Sequence, residues 1–408
     1  KGLGLVVTPE GSEVHELSLA RFEELKRYVE LGYSPCILSK ASAKDELRKQ
    51  EHIDNNKYRL FFVTEREWNW LLKMYLAPLT SWSMANRYQS GNFGGLNAGS
   101  CREWSSLGEF LCSVADPDEE AFFDGDQSGF DTHHGREAFL ASSYYAKRLL
   151  QKLGYSDENC VMASRLIMSC SRMLVLIEGS LVLGDTTLLS GLYITLWLNC
   201  FMSVILFDMY VYSKGCTNED YRAATVGDDL LASMSQKLRS LFDPQEFVEF
   251  YQELGYEMTA ANKGEELSLK TLTKVSFLKR GFRLVSKPPY VDSIASVAWT
   301  APLTLESIVK AICYSCGVKV EQSERDSQTL KAMWNELYLH GEDVFNSFKV
   351  LAEENGLPTK SFDELDRLYW DDALVLWEVS PDLSDVGWDC GQQPWLTQGS
   401  SPSTDVKM

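Results

Sequence analysis

Two carboxylates stand side by side in the tripeptide Gly227-Asp228-Asp229, on a predicted tight turn between two short apolar runs that are typical of strands. A second acidic cluster, which contains Asp126, follows the apolar pair Phe122-Phe123 at the end of another predicted strand. Two such clusters can meet across a sheet and hold a pair of Mg²⁺ ions. The tripeptide alone is equally compatible with an ordinary solvated hairpin, so the metal hypothesis depends on Asp126.

Other polar residues near these carboxylates have simpler interpretations. We interpret Asp124 as a solvated loop residue. The pair His133-His134 suggests zinc at first sight, but no cysteine or further histidine stands at ligand spacing. We therefore interpret both histidines as polar residues at the start of a helix.

The charge of the chain is unevenly distributed. Its 408 residues carry a net charge of −19, which taken as a uniform average argues against a nucleic-acid-binding protein. However, residues 341–408 hold fourteen Asp or Glu against four Lys or Arg, whereas residues 40–87 hold nine basic residues against six acidic ones. Because phosphate contacts depend on the local field within a Debye length, a basic channel inside an acidic protein is physically reasonable.

The composition predicts a folded protein with a large core. A hydrophobic content of 45% over 408 residues suits one multi-subdomain globule or two to three domains. The ten cysteines are scattered, which is typical of reduced thiols in a cytosolic compartment. The stretch from Leu192 to Tyr212 is long and apolar enough to cross a membrane, but Asn199 and Asp208 interrupt it. We therefore predict a buried core helix and no transmembrane segment.

Hydrophobic periodicity and turn residues predict the elements that must position the acidic clusters. One helix is expected to end near Pro78, and a hairpin is expected to turn at Glu178-Gly179. After about Asp385, the rising content of Gly, Pro, Ser and Gln predicts a weakly ordered tail. The predicted helices run from Leu17 to Leu31, Glu67 to Thr80, Arg136 to Leu153, Phe242 to Leu254, Leu305 to Tyr314 and Leu330 to Ala352, and the hairpin runs from Arg172 to Leu183.

Six motifs in this order resemble those of the RNA-dependent RNA polymerases of positive-strand RNA viruses, and among them the picorna-like group. The resemblance covers most of the chain, from about Lys40 to Arg283. Six motifs in the right order are much more specific than any one of them. In chain order they are Lys44-Asp45-Glu46-Leu47-Arg48 with Lys57-x-Arg59, Asp126-x-x-x-x-Asp131, Ser190-Gly191-x-x-x-Thr195-x-x-x-Asn199, Gly227-Asp228-Asp229, Gly255-Tyr256-Glu257-Met258-Thr259 leading to Lys263, and Phe277-Leu278-Lys279-Arg280.

The resemblance implies an α+β fold of the right-hand polymerase type, with fingers, an antiparallel palm sheet backed by helices, and a mainly helical thumb. The domain boundaries that it predicts are fingers at 1–83, palm at 84–161 and 189–285, a fingers insertion at 162–188, thumb at 286–385, and the weakly ordered tail at 386–408. In the family, a glycine-rich fingers motif lies well upstream of the position matched by Lys44. We therefore expect the chain to be incomplete at its N-terminus.

The implied reaction adds ribonucleotides to an RNA 3′ end on an RNA template by two-metal phosphoryl transfer, in which the protein mainly positions groups and stabilises charge. The implied metal ligands are Asp126, Asp228 and Asp229, which would hold two Mg²⁺ ions, with Mn²⁺ as a substitute. Lys263 is the implied general acid that protonates pyrophosphate. The residues implied to bind the triphosphate are Lys44, Arg48, Lys57 and Arg59, and those implied to support the primer strand are Lys279 and Arg280.

Selection of the sugar is implied for Asp131, Ser190 and Asn199, with Gly191 and Thr195 in the same motif as the last two. The physical reason is that a buried site that hydrogen-bonds the ribose 2′-hydroxyl leaves its polar groups unpaired when a deoxynucleotide enters. The simpler interpretation of Asn199 is a core amide that the backbone satisfies.

The implied partners are an RNA template and primer, ribonucleoside triphosphates, a small protein primer and other viral replication proteins. The implied location is the host cytoplasm, at membrane-associated replication complexes. Two alternatives stay open. One is a non-catalytic RNA-binding or replication-scaffold module, and the other is reverse transcription, which shares the palm geometry. The pairing of Asn199 with Asp131 argues against the second, because a reverse transcriptase would exclude the 2′-hydroxyl with a bulky side chain.

Overall fold

In a computed structural model, the chain is described over residues 5–8, 11–47, 50–55, 57–262, 264–286, 297–313 and 321–367. The strands are β1 (Leu5–Thr8), β2 (Gly11–Val14), β3 (Leu38–Ala43), β4 (Leu60–Thr64), β5 (Phe122–Gln127), β6 (Arg172–Ile177), β7 (Ser180–Asp185), β8 (Tyr221–Val226), β9 (Asp229–Met234), β10 (Met258–Ala260), β11 (Arg283–Ser286) and β12 (Val297–Thr300).

The helices run between and after these strands. They are α1 (Glu16–Glu30), α2 (Gln50–Asp54), α3 (Arg66–Ala85), α4 (Arg87–Ser90), α5 (Cys101–Cys112), α6 (Phe130–His133), α7 (Arg136–Lys152), α8 (Asp157–Ser169), α9 (Thr195–Ser213), α10 (Gln236–Arg239), α11 (Pro244–Glu253), α12 (Leu305–Cys313), α13 (Gln322–Tyr338) and α14 (Glu342–Glu354), with a 3₁₀ turn at Leu272–Lys274. The predicted mixture of helices and strands is confirmed.

The central sheet contains four strands in the order β10-β5-β9-β8, and all of its pairs are antiparallel. Both acidic clusters belong to it, because Asp126 lies in β5 and Asp229 begins β9. The register pairs Asp126 directly with Asp229 across the two strands. The sheet therefore brings together two carboxylates that are far apart in the sequence.

Alternate residues of the central strands enter two different hydrophobic cores. Phe123 and Leu230 pack into the larger core, which is formed mainly with helices α3 and α7 to α9. Phe122 and Leu231 face the opposite way, into a core that contains Trp104 of α5. Both faces of the sheet are thus covered, which explains why its strands read as continuous apolar runs rather than as an alternation of apolar and polar residues.

Helix α9 is the long apolar helix expected after Ser190-Gly191. By length and composition it is the one helix among the described residues that could cross a membrane, but 56% of its most apolar window is buried inside the fold. It packs against β8 of the central sheet and against α7. These contacts agree with the prediction of a core helix, and they fix the side chains of α9 relative to the acidic turn.

A second four-stranded sheet has the order β4-β3-β6-β7. Its β3–β6 pair is parallel and its other pairs are antiparallel. The predicted hairpin is confirmed as β6 and β7, which turn at Glu178 and Gly179 with φ of 48° and 86°. Because both turn residues have positive φ, the turn is of the type whose twist suits a two-residue hairpin loop.

Two predicted helix limits are wrong. Helix α3 continues through Pro78 to Ala85. The proline removes one backbone donor, but Leu76 and Leu79 beside it are fully buried, and this burial outweighs the loss of one hydrogen bond. The predicted helix from Leu330 to Ala352 is two helices, α13 and α14, because the chain breaks at Gly341 with φ +96°.

The C-terminal helices α12 to α14 form a third core around Trp334 and Phe345, in agreement with a mainly helical C-terminal part. A bidentate ion pair joins them to the end of the sheet region, since the Arg280 guanidinium contacts the Glu336 carboxylate at 2.8 and 2.7 Å. The domain boundaries stay predictions. The predicted weakly ordered tail lies outside the described residues.

The interpretation of Asp124 as a solvated loop residue is wrong. Asp124 lies within β5 with only 1% of its surface exposed. Its carboxylate forms an ion pair with Lys270 at 2.9 Å and accepts a hydrogen bond from the Ser276 backbone N–H at 2.8 Å. Asp124 therefore ties the strand that carries Asp126 to the segment that leads to Lys279.

We expect Asp124→Ala to lower the free energy of unfolding by about 3 kcal/mol, because it removes a fully buried carboxylate and leaves the Lys270 ammonium, whose side chain is 11% exposed, short of a partner. The matched control is Glu265→Ala. Glu265 contacts the same Lys270 nitrogen, also at 2.9 Å, but its side chain is 50% exposed, so we expect a loss below about 1 kcal/mol. Urea denaturation of the two variants measures both values, and equal losses would contradict this account of Asp124.

Candidate active site

The turn at Gly227-Asp228 closes the β8–β9 hairpin with a two-residue loop. Gly227 has φ +69°, a backbone conformation that residues other than glycine rarely adopt. Its N–H donates to the Cys200 sulfur of α9 at 3.2 Å, and the Asp228 carbonyl accepts from the Gln127 N–H at 3.4 Å. The turn is therefore held from below by α9 and from the side by β5.

Asp126 is half-buried on β5, directly across from Asp229. The residue before it is a glycine for a steric reason, because a Cβ on Gly125 would lie 2.6 Å from the Met258 sulfur. On its other side, the Asp126 carbonyl accepts a hydrogen bond from the Thr259 hydroxyl at 3.1 Å. The backbone at Asp126 is thus fixed by β9 on one edge and β10 on the other.

Burial and neighbouring carboxylates raise the pKa values of Asp228 and Asp229 at this end of the sheet. Burial raises the pKa of Asp229 to about 7, and the charges of Asp228 and Asp126 contribute to the rise while that of Lys279 opposes it. Desolvation by the surrounding protein also raises the pKa of Asp228, although the residue is solvent-accessible. The site therefore concentrates negative charge that a bound cation would relieve.

These residues fit magnesium. The side chains offer only carboxylate oxygens, which are the ligands that hard divalent cations prefer. Within the described part of the chain, no three Asp, Glu, His or Cys side chains form a ready-made metal cage. Mg²⁺ does not require one, because it is usually held by one or two carboxylates together with water and substrate phosphates. Asp126, Asp228 and Asp229 are the residues that would hold it.

Basic residues approach the carboxylates from the second sheet. Lys44 follows β3 and Arg59 precedes β4, and the Lys44 N–H donates to the Arg59 carbonyl at 2.9 Å. Both charges lower the pKa of Asp228, against the larger effect of its desolvation. Lys57 is an exposed residue of the same segment, whereas Arg48 lies outside the described residues.

Asp131 and Asn199 are joined directly, as the motif pair predicts. The Asn199 Nδ2 donates to Asp131 Oδ1 at 2.5 Å. The interpretation of His134 as a polar residue at a helix start is wrong. Only 1% of the His134 surface is exposed, and its Nε2 lies 2.7 Å from Asn199 Oδ1. Sequence reasoning missed this contact because nothing in the sequence distinguishes His134 from the exposed His133 beside it.

The loop before α9 is packed tightly against the second sheet. A Cβ on Gly191 would lie 1.8 Å from the Phe62 carbonyl oxygen, so no larger residue fits without a shift of the backbone. Asn69 of α3 holds this loop at two points, since it donates to the Gly191 carbonyl at 2.9 Å and accepts from the Tyr193 N–H at 2.8 Å. No motif signalled this role of Asn69.

The remaining residues of the loop differ in exposure. Ser190 is exposed, so its hydroxyl is accessible from solvent. Thr195 begins α9, and its hydroxyl donates to the Leu189 carbonyl at 2.7 Å. The structure therefore gives Thr195 a contact that closes the loop, and its assignment to the nucleotide stays a prediction.

The two residues predicted to support the primer lie on one turn. Leu278 and Lys279 both have positive φ, 56° and 62°, and the turn is closed by the pairing of Phe277 with Arg280. The Lys279 charge lowers the pKa of Asp229, against the larger effect of burial. The Arg280 guanidinium is engaged by Glu336, so its contacts in the structure favour a structural role. Lys263 lies outside the described residues.

The family of this chain follows from comparison with known proteins. A family profile described as viral RNA-dependent RNA polymerase matches residues 36–352. The chain belongs to this family. The match spans the strands that carry Asp126 and Asp229, the Asp131–Asn199 pair and the basic segment around Lys44, and the predicted family is thereby confirmed.

The relatives of this RNA-dependent RNA polymerase family member are parts of viral polyproteins. The chain is 25% identical over 382 residues to the genome polyprotein of Rice tungro spherical virus (strain A), a match that covers 86% of the chain and 10% of the polyprotein. It is also 25% identical over 353 residues to the RNA1 polyprotein of Tomato ringspot virus (isolate raspberry), covering 81% of the chain and 14% of that polyprotein. The chain thus spans about a tenth of the first relative.

A solved structure shares the fold of this family member. The Sicinivirus 3Dpol RNA dependent RNA polymerase superposes with a TM-score of 0.71 at 14% sequence identity, and the match covers 91% of this chain and 74% of that one. The predicted right-hand polymerase fold, with its antiparallel sheet, is confirmed.

The raised pKa of Asp229 predicts how stability of this polymerase-family protein changes with pH in the absence of metal. The folded state raises this pKa from 3.8 to about 7, so the unfolded chain ionises first and stability is lost as the pH rises through that window. Asp229→Asn removes the effect. The difference in free energy of unfolding between the variant and wild type should therefore be larger at pH 8 than at pH 5. We expect this increase to be on the order of 2 kcal/mol, a value that is reduced because Asp229 is partly exposed.

Denaturation curves in a chelator at the two pH values measure this gain. Asp118→Asn is the control, because Asp118 is exposed on a turn outside the site, and its difference from wild type should not change with pH. A difference between Asp229→Asn and wild type that is the same at pH 5 and pH 8 would show that Asp229 is not held in its protonated form.

Proposed function

We propose that this chain adds ribonucleoside monophosphates to an RNA 3′ end on an RNA template, in replication of a viral genome. The observation that carries the proposal is the pairing of Asp126 with Asp229 across two central strands, with Asp228 at the adjoining turn. The cationic side chains of Lys44 and Arg59 lie close enough to lower the pKa of Asp228. Carboxylates that could bind metal and cations that could bind phosphate thus lie near one another at the Gly227-Asp228 turn.

The chemistry of this transfer requires little covalent work from the protein. Two Mg²⁺ ions, or Mn²⁺ in their place, would activate the attacking 3′-hydroxyl and neutralise the triphosphate. Asp126 and Asp228 are the residues proposed to hold both ions, and Asp229 would assist them. Arg59 binds the triphosphate through its planar guanidinium, together with Lys44 and Lys57 from the same segment. Lys263 is the proposed general acid toward pyrophosphate.

The proposed partners are an RNA template, a primer strand and ribonucleoside triphosphates. Because the relatives are polyproteins, other viral replication proteins and a small protein primer are part of the same proposal. The proposed location is at membrane-associated replication complexes in the host cytoplasm. Support for ribonucleotides over deoxynucleotides comes from the Asp131–Asn199 hydrogen bond, which provides a polar partner for a 2′-hydroxyl.

Extension of a primed RNA by one nucleotide in Mg²⁺ tests the proposal. We expect Asp228→Ala to reduce incorporation by about 10²- to 10³-fold, because a metal ligand stabilises developing charge by several kcal/mol. Asp118→Ala, the same substitution at an exposed turn, should extend at the wild-type rate. Equal incorporation by wild type and Asp228→Ala would remove Asp228 from the metal site, and extension by none of the proteins would favour a non-catalytic scaffold.

The sugar assignment has its own test. In Asn199→Ala the amide that contacts Asp131 is lost, so we expect the preference for ATP over dATP to narrow by about tenfold or more. The measurement is the ratio of kcat/KM for the two nucleotides on the same primed template. An unchanged ratio would remove Asn199 from the sugar site while leaving the polymerase proposal intact.

A further inference from the structure

A buried hydrogen-bonded chain continues beyond the sugar pair and ends at a histidine. Asn199, which is 6% exposed, uses its amide nitrogen on Asp131 and its amide oxygen on His134. His134 lies three residues after Asp131, past the end of helix α6. The ring nitrogen Nδ1 lies 3.4 Å from the Tyr256 hydroxyl, which is a weak contact. Asn199 is therefore bonded at both ends of its amide.

Chemistry decides which atom of the histidine carries the proton. An ionised carboxylate only accepts hydrogen bonds, so the amide edge that faces Asp131 must be the nitrogen. The amide oxygen then faces His134, and it requires a donor there, which only an Nε2–H can be. Burial lowers the pKa of His134 to about 4, so the ring is neutral near pH 7. The network thus selects the neutral tautomer with its proton on Nε2.

Packing holds the ring where this bond requires it. Phe130 meets the imidazole edge to face, with ring centroids 4.5 Å apart, and Tyr256 lies on another side at 5.9 Å. Because the ring is enclosed, its donor cannot turn away to water. An asparagine amide bonded only to a carboxylate can still pivot about that one hydrogen bond, but an amide bonded at both ends has one orientation.

We propose that His134 is a positioning residue for sugar selection, which holds the Asn199 amide with its nitrogen toward Asp131 and so maintains the polar pair that recognises the ribose 2′-hydroxyl. This inference rests on the proposed polymerase function and adds to it a residue that no motif assigns. His134 does not touch the nucleotide. It acts through Asn199, because its Nε2–H gives the amide oxygen a donor and so adds to the preference of the Asp131 carboxylate for the amide nitrogen.

The proposal predicts a selective effect. Without the Nε2–H donor, the buried Asn199 oxygen lacks a partner and the amide reorients or takes up water. Ribonucleotides then lose a recognition contact that deoxynucleotides never used. We expect the kcat/KM ratio for ATP over dATP to fall about tenfold in His134→Leu, mainly through slower use of ATP. Damage to core packing alone would slow both nucleotides equally.

Two polar variants at position 134 test whether a donor must extend as far as the Nε2 of His134 to contact the Asn199 oxygen. Glutamine places an amide N–H near the position of Nε2, whereas the shorter asparagine does not extend that far. We expect His134→Gln to keep most of the wild-type ratio and His134→Asn to lose it as His134→Leu does. The exposed neighbour supplies the control, since His133→Leu should leave the ratio unchanged. In an Asn199→Ala background, His134→Leu should produce no further change, because the two residues act through one contact.

The measurement is single-nucleotide extension of one primed RNA template with ATP or dATP in Mg²⁺. A wild-type ratio in His134→Leu, or equal ratios in His134→Gln and His134→Asn, would overturn the inference while the polymerase proposal stands. If His134→Leu does not fold, the comparison of the glutamine and asparagine variants decides. A wild-type protein that extends no primer would overturn the proposed function and, with it, the role of His134.

Discussion

Mutual repulsion between carboxylates at one end of the central sheet is the constraint on which the rest of the structure depends. Asp126 and Asp229 face each other across an antiparallel pair, and the next residue back is Asp228. Because side chains alternate along a strand, a slip of one residue would turn one carboxylate to the opposite face. The β5–β9 register must therefore hold against this repulsion, which together with the larger effect of burial raises the pKa of Asp229. Two hydrophobic cores, one on each face of the sheet, provide that resistance.

The cations that balance this charge come from separate parts of the chain. Lys44 and Arg59 come from the second sheet, while Lys279 comes from a turn after the central sheet. Each source is anchored by uncharged contacts or by ion pairs away from the site. Gly191, in the loop before α9, packs against the Phe62 carbonyl of the second sheet, and Arg280 pairs with Glu336 beside Lys279. Placement of charge thus depends on packing at distant points, which agrees with catalysis that relies on preorganised electrostatics.

The elements that could be predicted from the sequence are those that local residue patterns determine. The strands around Gly227 and the long helix after Ser190-Gly191 follow from apolar runs and turn residues, so they are found where expected. What the sequence could not supply was the solvation of single polar residues. Asp124 and Asp126 are two residues apart on one strand, yet Asp124 is buried against Lys270 while Asp126 reaches the site. Only tertiary packing separates them. Likewise, helix α3 does not end near Pro78 as predicted, because burial of the neighbouring leucines overrides the low helix propensity of proline.

The adjacent histidines show the clearest difference in burial between neighbouring polar residues. His133 and His134 are the same residue type in consecutive positions, but one is exposed and the other is enclosed against Asn199. A buried polar network is stable only when each member is satisfied, so the imidazole that completes the network also restricts the amide to one orientation. In the proposed function, stability and sugar selection depend on the same hydrogen bond. The proposed sugar selection through a buried amide therefore requires a second partner for that amide, and the imidazole of His134 lies where it can be that partner.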